Sequence, residues 1–263
     1  MKKPSKYISR KPDSDGYITY PADENKVWQD LSERQIRIVK DYACDEYLDG
    51  LDYLNLPINE IPQLPVVNKK LKEATGWAVE PVPALIGFDR FFKLLADRKF
   101  PCATFIRTRE DFDYVTEPDI FHEIFGHTPM LAYPVYADFM QKYGELGVGQ
   151  EPFVQKMLAR FYWFTVEFGL IQTKKGLKAY GGGILSSPSE TIHAIDEPSV
   201  IRKPFDALDM LRTPYRIDIL QPIYYVIESY EQIYDVLNND FIKTIMQAKE
   251  MGEFKPLYEP AVK

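Results

Sequence analysis

Apolar residues recur at helical spacing along much of this chain, and prolines interrupt the pattern. After Val27 they advance in steps of three and four, which predicts one buried helical stripe formed by Ile36, Val39, Ala43, Tyr47, Leu51 and Leu54. Pro57, Pro62 and Pro65 then end that pattern, because proline cannot continue a helix interior. The chain is therefore expected to fold mainly from short helices.

Similar patterns predict further helices, and short strands are expected between some of them. The predicted helices cover 87–100, 117–131, 134–146, 151–171, 188–195, 222–237 and 241–251. A strand is expected at 102–107, and a strand or loop loosened by glycine at 177–187. Residues 1–26 are polar and rich in proline, which predicts an extended or poorly ordered arm. We expect one mainly α domain over 27–263, of the α+β kind with short strands.

Composition limits the classes of protein to which this chain can belong. Of its 263 residues 45% are hydrophobic and 27% charged, which is typical of a folded globular domain. A formal net charge of −7 argues against nucleic acid or an anionic membrane as a partner. No apolar run approaches the ~18–20 residues that span a bilayer. Two distant cysteines, Cys44 and Cys102, are expected to be free thiols in a reducing cytoplasm.

Two of the three histidines, His122 and His127, lie five residues apart. This spacing predicts either a metal site or a pair of hydrogen-bonded structural histidines. A zinc-protease helix places its histidines four residues apart, whereas five residues on an α-helix separate two side chains by ~140°. Both rings could therefore bind one ion only if the helix ends or widens into a π-turn, which we expect at Gly126. His193 has no companion ligand nearby in the sequence and is expected to be structural.

Glu167 is the best candidate for a third ligand. It stands inside the apolar run Tyr162–Leu170, where a carboxylate is costly unless it is paired, protonated or metal-bound. The alternative is a glutamate that faces solvent on an amphipathic helix. Two histidines and one carboxylate are typical of non-haem Fe(II) oxygenases, but zinc accepts the same ligands.

Three segments carry a resemblance to a known family. PDIFHEIFGH, YWFTVEFGL and AYGGGILSS follow one another in the order found in the aromatic amino acid hydroxylases, and the chain resembles that family from about residue 20 to its end. The resemblance implies the family's catalytic-domain fold, a helical basket around a non-haem iron site. It also implies the catalytic domain alone, without a tetramerisation helix, so that a monomer or weak dimer is expected.

The resemblance also implies roles for individual residues. The Fe(II) ligands would be His122, His127 and Glu167. The tetrahydropterin cosubstrate would contact Leu85, Ile86, Gly87, Phe88, Phe91, Glu123 and Tyr162. The substrate carboxylate would pair with Arg107, which Asp119 would hold in place. The wall of the amino acid pocket would be formed by Pro118, Trp163, Phe168, Gly183 and Ser186.

The residues themselves support some of these roles and leave alternatives for others. Arginine binds a carboxylate through two parallel hydrogen bonds, although Arg107 could equally form a structural ion pair with Asp119. The glycines at 181–183 allow close approach of the backbone to a ligand, or a plain turn. Phe91 fits the core by pattern alone. Val115 stands where the animal enzymes of the family have a threonine that contacts the substrate, so that contact would be lost or pass to Thr116. Thr128 stands where the family usually has an aliphatic residue, and this departure is not expected to alter the ligand set.

The activity that the resemblance implies is hydroxylation of L-phenylalanine to L-tyrosine with O2 and a reduced pterin. The alternatives are a tyrosine or tryptophan hydroxylase of the same family, a zinc-dependent hydrolase, and a pterin or amino acid binder without catalysis.

Overall fold

The computed structural model of the chain describes residues 7–83 and 85–259, and most of these residues lie in helices. The α-helices are α1 Ala22–Tyr42, α2 Asp45–Leu54, α3 Leu64–Thr75, α4 Phe88–Ala96, α5 Thr128–Leu131, α6 Pro134–Gly147, α7 Pro152–Tyr162, α8 Gly182–Leu185, α9 Pro188–Asp196, α10 Ala207–Arg212, α11 Tyr230–Asn238 and α12 Phe241–Met251. Two π-helices continue this pattern at Phe121–His127 and Trp163–Glu167. The prediction of a mainly helical fold is confirmed.

Six short strands form two small sheets within the described residues: β1 Ala78–Val82, β2 Lys99–Ala103, β3 Gly169–Thr173, β4 Gly176–Ala179, β5 Ile201–Pro204 and β6 Ile223–Ile227. β1 and β2 pair in parallel, with α4 as their connection. The second sheet has the order β4-β3-β6-β5, in which only the β3–β4 pair is antiparallel. Neither sheet is large enough to organise the molecule, so the helices enclose the core.

The helical stripe predicted after Val27 is divided between two helices. α1 ends at Tyr42 and α2 begins at Asp45, because Ala43 is extended and forms a β-bridge with Ala179. The amide of Cys44 donates to the carbonyl of Ala179 at 2.9 Å. The prediction that one continuous helix carries the stripe was therefore wrong, although Tyr47 and other residues of the stripe are buried.

The N-terminal arm is shorter than predicted and is bound to the rest of the domain. α1 begins at Ala22, so the predicted arm over 1–26 extends too far, and residues 1–6 lie outside the described residues. Thr104 binds the arm through two hydrogen bonds. Its amide donates to Ser9 Oγ at 3.1 Å, and its hydroxyl donates to the carbonyl of Arg10 at 2.7 Å. The amide of Ile18 donates to Gln63 Oε1 at 2.8 Å. The arm therefore follows the segment that leads from β2 to Arg107.

Three strands lie where the sequence predicted something else. β6 occupies the start of the predicted helix 222–237, and β3, which follows the second π-helix, overlaps the end of the predicted helix 151–171. The predicted strand 102–107 is instead β2, three residues earlier. β6 lies between β3 and β5 and is buried at four of its five positions. A short strand buried on both faces is a continuous apolar run, which periodicity alone cannot distinguish from a buried helix.

None of the helices within the described ranges is both long and apolar enough to cross a membrane.

Candidate active site

The first π-helix places the two nearby histidines on the same side. π-helices form hydrogen bonds between residues five apart, so side chains at that spacing stack along the axis. The Nε2 atoms of His122 and His127 are accordingly 3.0 Å apart. The predicted widening of the helix is thus observed, although it extends over all of Phe121–His127 rather than occurring at Gly126 alone.

Glu167 reaches both histidines from the end of the second π-helix. Its Oε2 lies 3.4 Å from Nε2 of His127 and 3.6 Å from Nε2 of His122. Ligand atoms with these separations can all lie at metal–ligand distances of about 2.0–2.2 Å from one ion. The three predicted ligands are therefore brought together, with one carboxylate and two imidazoles directed at one point.

Glu123 is a second carboxylate near the same point. Its oxygen and the ring nitrogens of His122 and His127 lie within 4.8 Å of one another. Glu167 is the better ligand because its oxygen is closer to both rings. Burial, together with the charges of Glu167 and Asp119, raises the pKa of Glu123 well above its usual value, which favours the neutral acid.

The imidazole of His122 is held in the form that binds a metal. Burial lowers its pKa to about 4 despite the opposing effect of the Glu167 carboxylate, so the ring is neutral at physiological pH. Its Nδ1 lies 2.9 Å from the hydroxyl oxygen of Ser186, which leaves Nε2 directed at His127 and Glu167. Such outer hydrogen bonds fix the orientation of metal-binding histidines. The Phe100 ring packs against the His127 ring at a centroid distance of 5.0 Å.

Close packing explains the three consecutive glycines. A Cβ on Gly182 would lie 2.4 Å from the ring of His127, and one on Gly181 would lie 2.3 Å from the carbonyl oxygen of Glu167. A Cβ on Gly183 would lie 3.0 Å from Oε2 of Glu167. The run therefore packs directly against two candidate ligands, which favours the close-approach interpretation over a plain turn.

Arg107 and Asp119 form a buried ion pair beside the histidines. Nε and Nη2 of Arg107 donate to the two oxygens of Asp119 at 2.8 and 2.9 Å. The backbone amides of Arg107 and His122 also donate to this carboxylate, each at 3.0 Å. Burial would raise the pKa of Asp119, but Arg107 and these hydrogen bonds keep it below its usual value. Asp119 therefore connects the arginine directly to the first π-helix.

Comparison with known proteins identifies the family. Residues 6–260 match the model of the biopterin-dependent aromatic amino acid hydroxylases. The chain belongs to this family. It is 52% identical to a phenylalanine-4-hydroxylase of Vibrio cholerae, over 97% of this chain and 89% of that protein. A phenylalanine hydroxylase structure from Legionella pneumophila is 50% identical with a TM-score of 0.94, covering 96% of this chain and all of that one.

One solved relative contains the metal. A Chromobacterium violaceum phenylalanine hydroxylase structure with bound oxidised Fe(III) is 41% identical to this chain. Its TM-score is 0.88, and the match covers 93% of this chain and 91% of that one.

In this member of the family, aromatic rings line one side of the candidate centre. Trp163 begins the second π-helix and packs against Phe168 at a centroid distance of 4.4 Å. Its other partner is Tyr215, stacked at 4.6 Å with an interplanar angle of 21°. Tyr215 and Gln221, which accepts a hydrogen bond from Trp163 Nε1, were missed at the sequence level. No spacing pattern connects them to the motifs, because they reach the site through a loop.

The predicted pterin residues fall into two groups. Phe91 lies edge-to-face with Tyr162 at a centroid distance of 5.4 Å. Burial raises the pKa of Tyr162 well above its usual value, and the charge of Glu167 contributes further. Leu85–Phe88 form the connection from β1 into α4, where Leu85 and Phe88 are exposed. These positions leave the pterin assignments as predictions.

Pro118, which is predicted to form part of the amino acid pocket wall, is half-buried and immediately precedes Asp119.

Proposed function

We propose that the chain is a phenylalanine 4-monooxygenase, which hydroxylates L-phenylalanine to L-tyrosine with O2 and a tetrahydropterin. The observation that carries this proposal is the convergence of His122, His127 and Glu167 beside the buried Arg107–Asp119 pair. Metal ligands and a carboxylate-binding group in one site suit a metal-dependent reaction on an amino acid. The names of the relatives described above support phenylalanine as the substrate.

His122, His127 and Glu167 would hold one Fe(II). The residues fit this ion, because two imidazoles and a carboxylate form the facial set typical of non-haem iron oxygenases. Bound there, Fe(II) would supply O2 activation with the pterin as electron donor. Ser186 would keep Nε2 of His122 directed at the ion, and the glycines at 181–183 would let the backbone close around it.

Arg107 would bind the substrate carboxylate. A guanidinium carries five N–H donors, and Asp119 accepts from Nε and Nη2 of this one. Asp119 thereby neutralises a buried charge and fixes the plane of the guanidinium. Because Asp119 also accepts from the amide of His122, the substrate's position would be set relative to the metal ligands.

The aromatic wall would hold the substrate ring. Phe168 directly follows Glu167 along the chain, and Trp163 precedes Glu167 by four residues. Gly183 packs against both Glu167 and Phe168. Apolar surfaces here would exclude water from the reacting ring. Phe91 and Leu85–Phe88 would contact the pterin, with Glu123 and Tyr162 between the pterin and the metal ligands.

The decisive experiment measures kcat/KM for phenylalanine, tyrosine and tryptophan with Fe(II), O2 and one tetrahydropterin. We expect phenylalanine to be strongly preferred, because a tyrosine hydroxyl buried against the apolar wall lacks a partner at a cost of ~1–3 kcal/mol. Equal activity on tyrosine or tryptophan would contradict the substrate assignment and favour another hydroxylase of the family.

The ligand assignment needs a separate test. We expect His127→Ala to lose both bound iron and turnover, whereas His193→Gln, a change at the remaining histidine, should retain iron. Activity with zinc in the absence of O2 and pterin would indicate a hydrolase instead. Ligand binding without any turnover would indicate a binder. Near-normal iron and turnover in His127→Ala would remove the ligand set from the proposal.

A cytoplasmic location, a single catalytic domain and a monomeric or weakly dimeric state stay predictions. Cell fractionation, limited proteolysis and sedimentation velocity would check them.

A further inference from the structure

The loop between α10 and β6 ends at a glutamine whose polar atoms are all engaged. Gln221 is 1% exposed, and its Nε2 donates to the carbonyls of Arg216 and Ile219, each at 2.9 Å. Its Oε1 accepts from Nε1 of Trp163 at 3.1 Å. The backbone amide of Gln221 donates to Oε1 of Glu190 at 3.1 Å. One residue therefore closes its own loop and binds the indole of the aromatic wall.

These partners fix the orientation of the amide group. Carbonyl oxygens can only accept and an indole N–H can only donate. If the amide were reversed, its oxygen would face the two carbonyl oxygens and its NH2 group would face the indole N–H, so all three hydrogen bonds would be lost. Buried polar groups without partners are costly, which makes this arrangement the stable one. A side chain of similar size without both a donor and an acceptor could not replace it.

The indole of Trp163 is consequently held on three sides. Tyr215 covers one face at 4.6 Å, and Phe168 packs against the ring at 4.4 Å. Gln221 holds the remaining N–H edge. Tyr215 belongs to the same loop as Gln221, so the loop supplies two of the three constraints on the ring.

We infer that Gln221 is a positioning residue for substrate specificity. It acts through Trp163: the hydrogen bond to Nε1 sets the tilt of the indole, and the indole sets the shape of the wall against which the substrate ring rests. This inference rests on the proposed function, since it needs Trp163 as part of the substrate pocket. The polar atoms of the Gln221 side chain are engaged within the protein, so it would act through Trp163 rather than on substrate or metal directly.

The first test observes the indole directly and needs no activity. The chain has three tryptophans, so 15N-tryptophan labelling gives three indole N–H signals, and Trp163→Phe identifies the one from Trp163. In Gln221→Met we expect that signal alone to shift and to exchange faster with solvent. Trp28 and Trp77, which donate to the carbonyls of Pro57 and Ala137, should be unaffected. An unchanged Trp163 signal would overturn the inference.

The second test is a double-mutant cycle on turnover. Loss of a buried hydrogen bond is expected to raise the KM for phenylalanine by roughly 5- to 30-fold in Gln221→Met, and to reduce the preference for phenylalanine over tryptophan, with a smaller effect on kcat. If Gln221 acts through the indole N–H, the same change in a Trp163→Phe background should have little further effect. Fully additive effects would show a general structural role and overturn the inference.

Gln172→Met is the matched control. Gln172 is exposed on β3, where its side chain bonds only the neighbouring carbonyl of Thr173 among the contacts of the described residues. It should leave the Trp163 signal, KM and substrate preference unchanged. If the wild-type chain does not turn over phenylalanine at all, the proposed function fails, while the NMR test still reports on the link between Gln221 and Trp163.

Discussion

The carboxylate of Asp119 accepts four hydrogen bonds, three from Arg107 and one from the amide of His122. Both partners are buried, since Arg107 is 4% and Asp119 0% exposed. An ion pair in such a place stabilises the fold only when its geometry is good, because desolvation opposes it. The arrangement therefore serves to present a guanidinium of fixed orientation beside the metal ligands.

We expect Arg107→Lys to raise the KM for phenylalanine by ~10- to 150-fold, because a hydrogen bond to a charged group contributes ~1.5–3 kcal/mol. Lysine keeps the charge but cannot form two parallel hydrogen bonds. Steady-state kinetics on the folded variant check this. Arg109→Lys is the control, since Arg109 is half-exposed and pairs with Asp30 on the surface. An unchanged KM in folded Arg107→Lys would mean that the arginine serves the fold alone.

Two adjacent serines allow an effect on metal binding to be distinguished from an effect on stability. Ser186 contacts Nδ1 of His122, whereas Ser187 caps α9 by accepting from the amide of Glu190. Ser186→Ala is expected to weaken iron binding by ~10–100-fold, the usual effect of removing an outer partner of a metal ligand. Ser187→Ala should instead cost ~1 kcal/mol of stability and leave iron affinity unchanged. Equal iron affinities in the two variants would contradict the role of Ser186.

Secondary-structure elements differ in how far the sequence predicts them. If both histidines bind one ion, their spacing requires an irregular helix, and the first π-helix supplies it. The second π-helix had no such signal, because Glu167 is a single ligand whose partners lie far away in sequence. β6 was predicted as a helix because its apolar run carries no period, and its strand conformation depends on pairing with β3 and β5. Contacts between residues distant in sequence therefore determine the conformation of segments whose local sequence pattern fits both a helix and a strand.

A buried carboxyl between α9 and β6 makes stability depend on pH. Burial raises the pKa of Glu190, although the Tyr224 hydroxyl and the Gln221 amide, which donate to it, and the nearby His193 all oppose the shift. Folding then favours the protonated acid. This contribution is complete below the unfolded pKa of about 4.3 and is lost as the pH rises through the higher folded value.

Glu190→Gln should therefore change the pH profile of unfolding. Glutamine keeps the oxygen that accepts from Tyr224 and Gln221 but cannot ionise. The melting temperature of the variant relative to the wild type should increase from pH 4 to pH 8, which thermal unfolding at several pH values would measure. A difference that stays constant with pH would mean that Glu190 does not titrate in this range.

At the scale of the whole molecule, the candidate ligands come from distant parts of the chain. His122 and His127 lie on one π-helix and Glu167 on another, and their distances depend on the glycine run that packs between them. An unfolded chain cannot hold these groups together. Metal binding is therefore coupled to folding, and bound metal should stabilise the entire domain.

We expect anaerobic Fe(II) at 100 times its Kd to add about 2.7 kcal/mol to the free energy of unfolding. For a chain of this size that corresponds to an increase in melting temperature of roughly 5–10 °C. The buried thiols offer a second measurement, since Cys44 and Cys102 are both 0% exposed and burial raises the pKa of each. A thiol reagent should reach them only when the fold opens, so Fe(II) should slow their modification. In His127→Ala, Fe(II) should neither raise the melting temperature nor slow thiol modification to the same extent. If Fe(II) changes both quantities in this variant as much as in the wild type, the stabilising iron binds at another site.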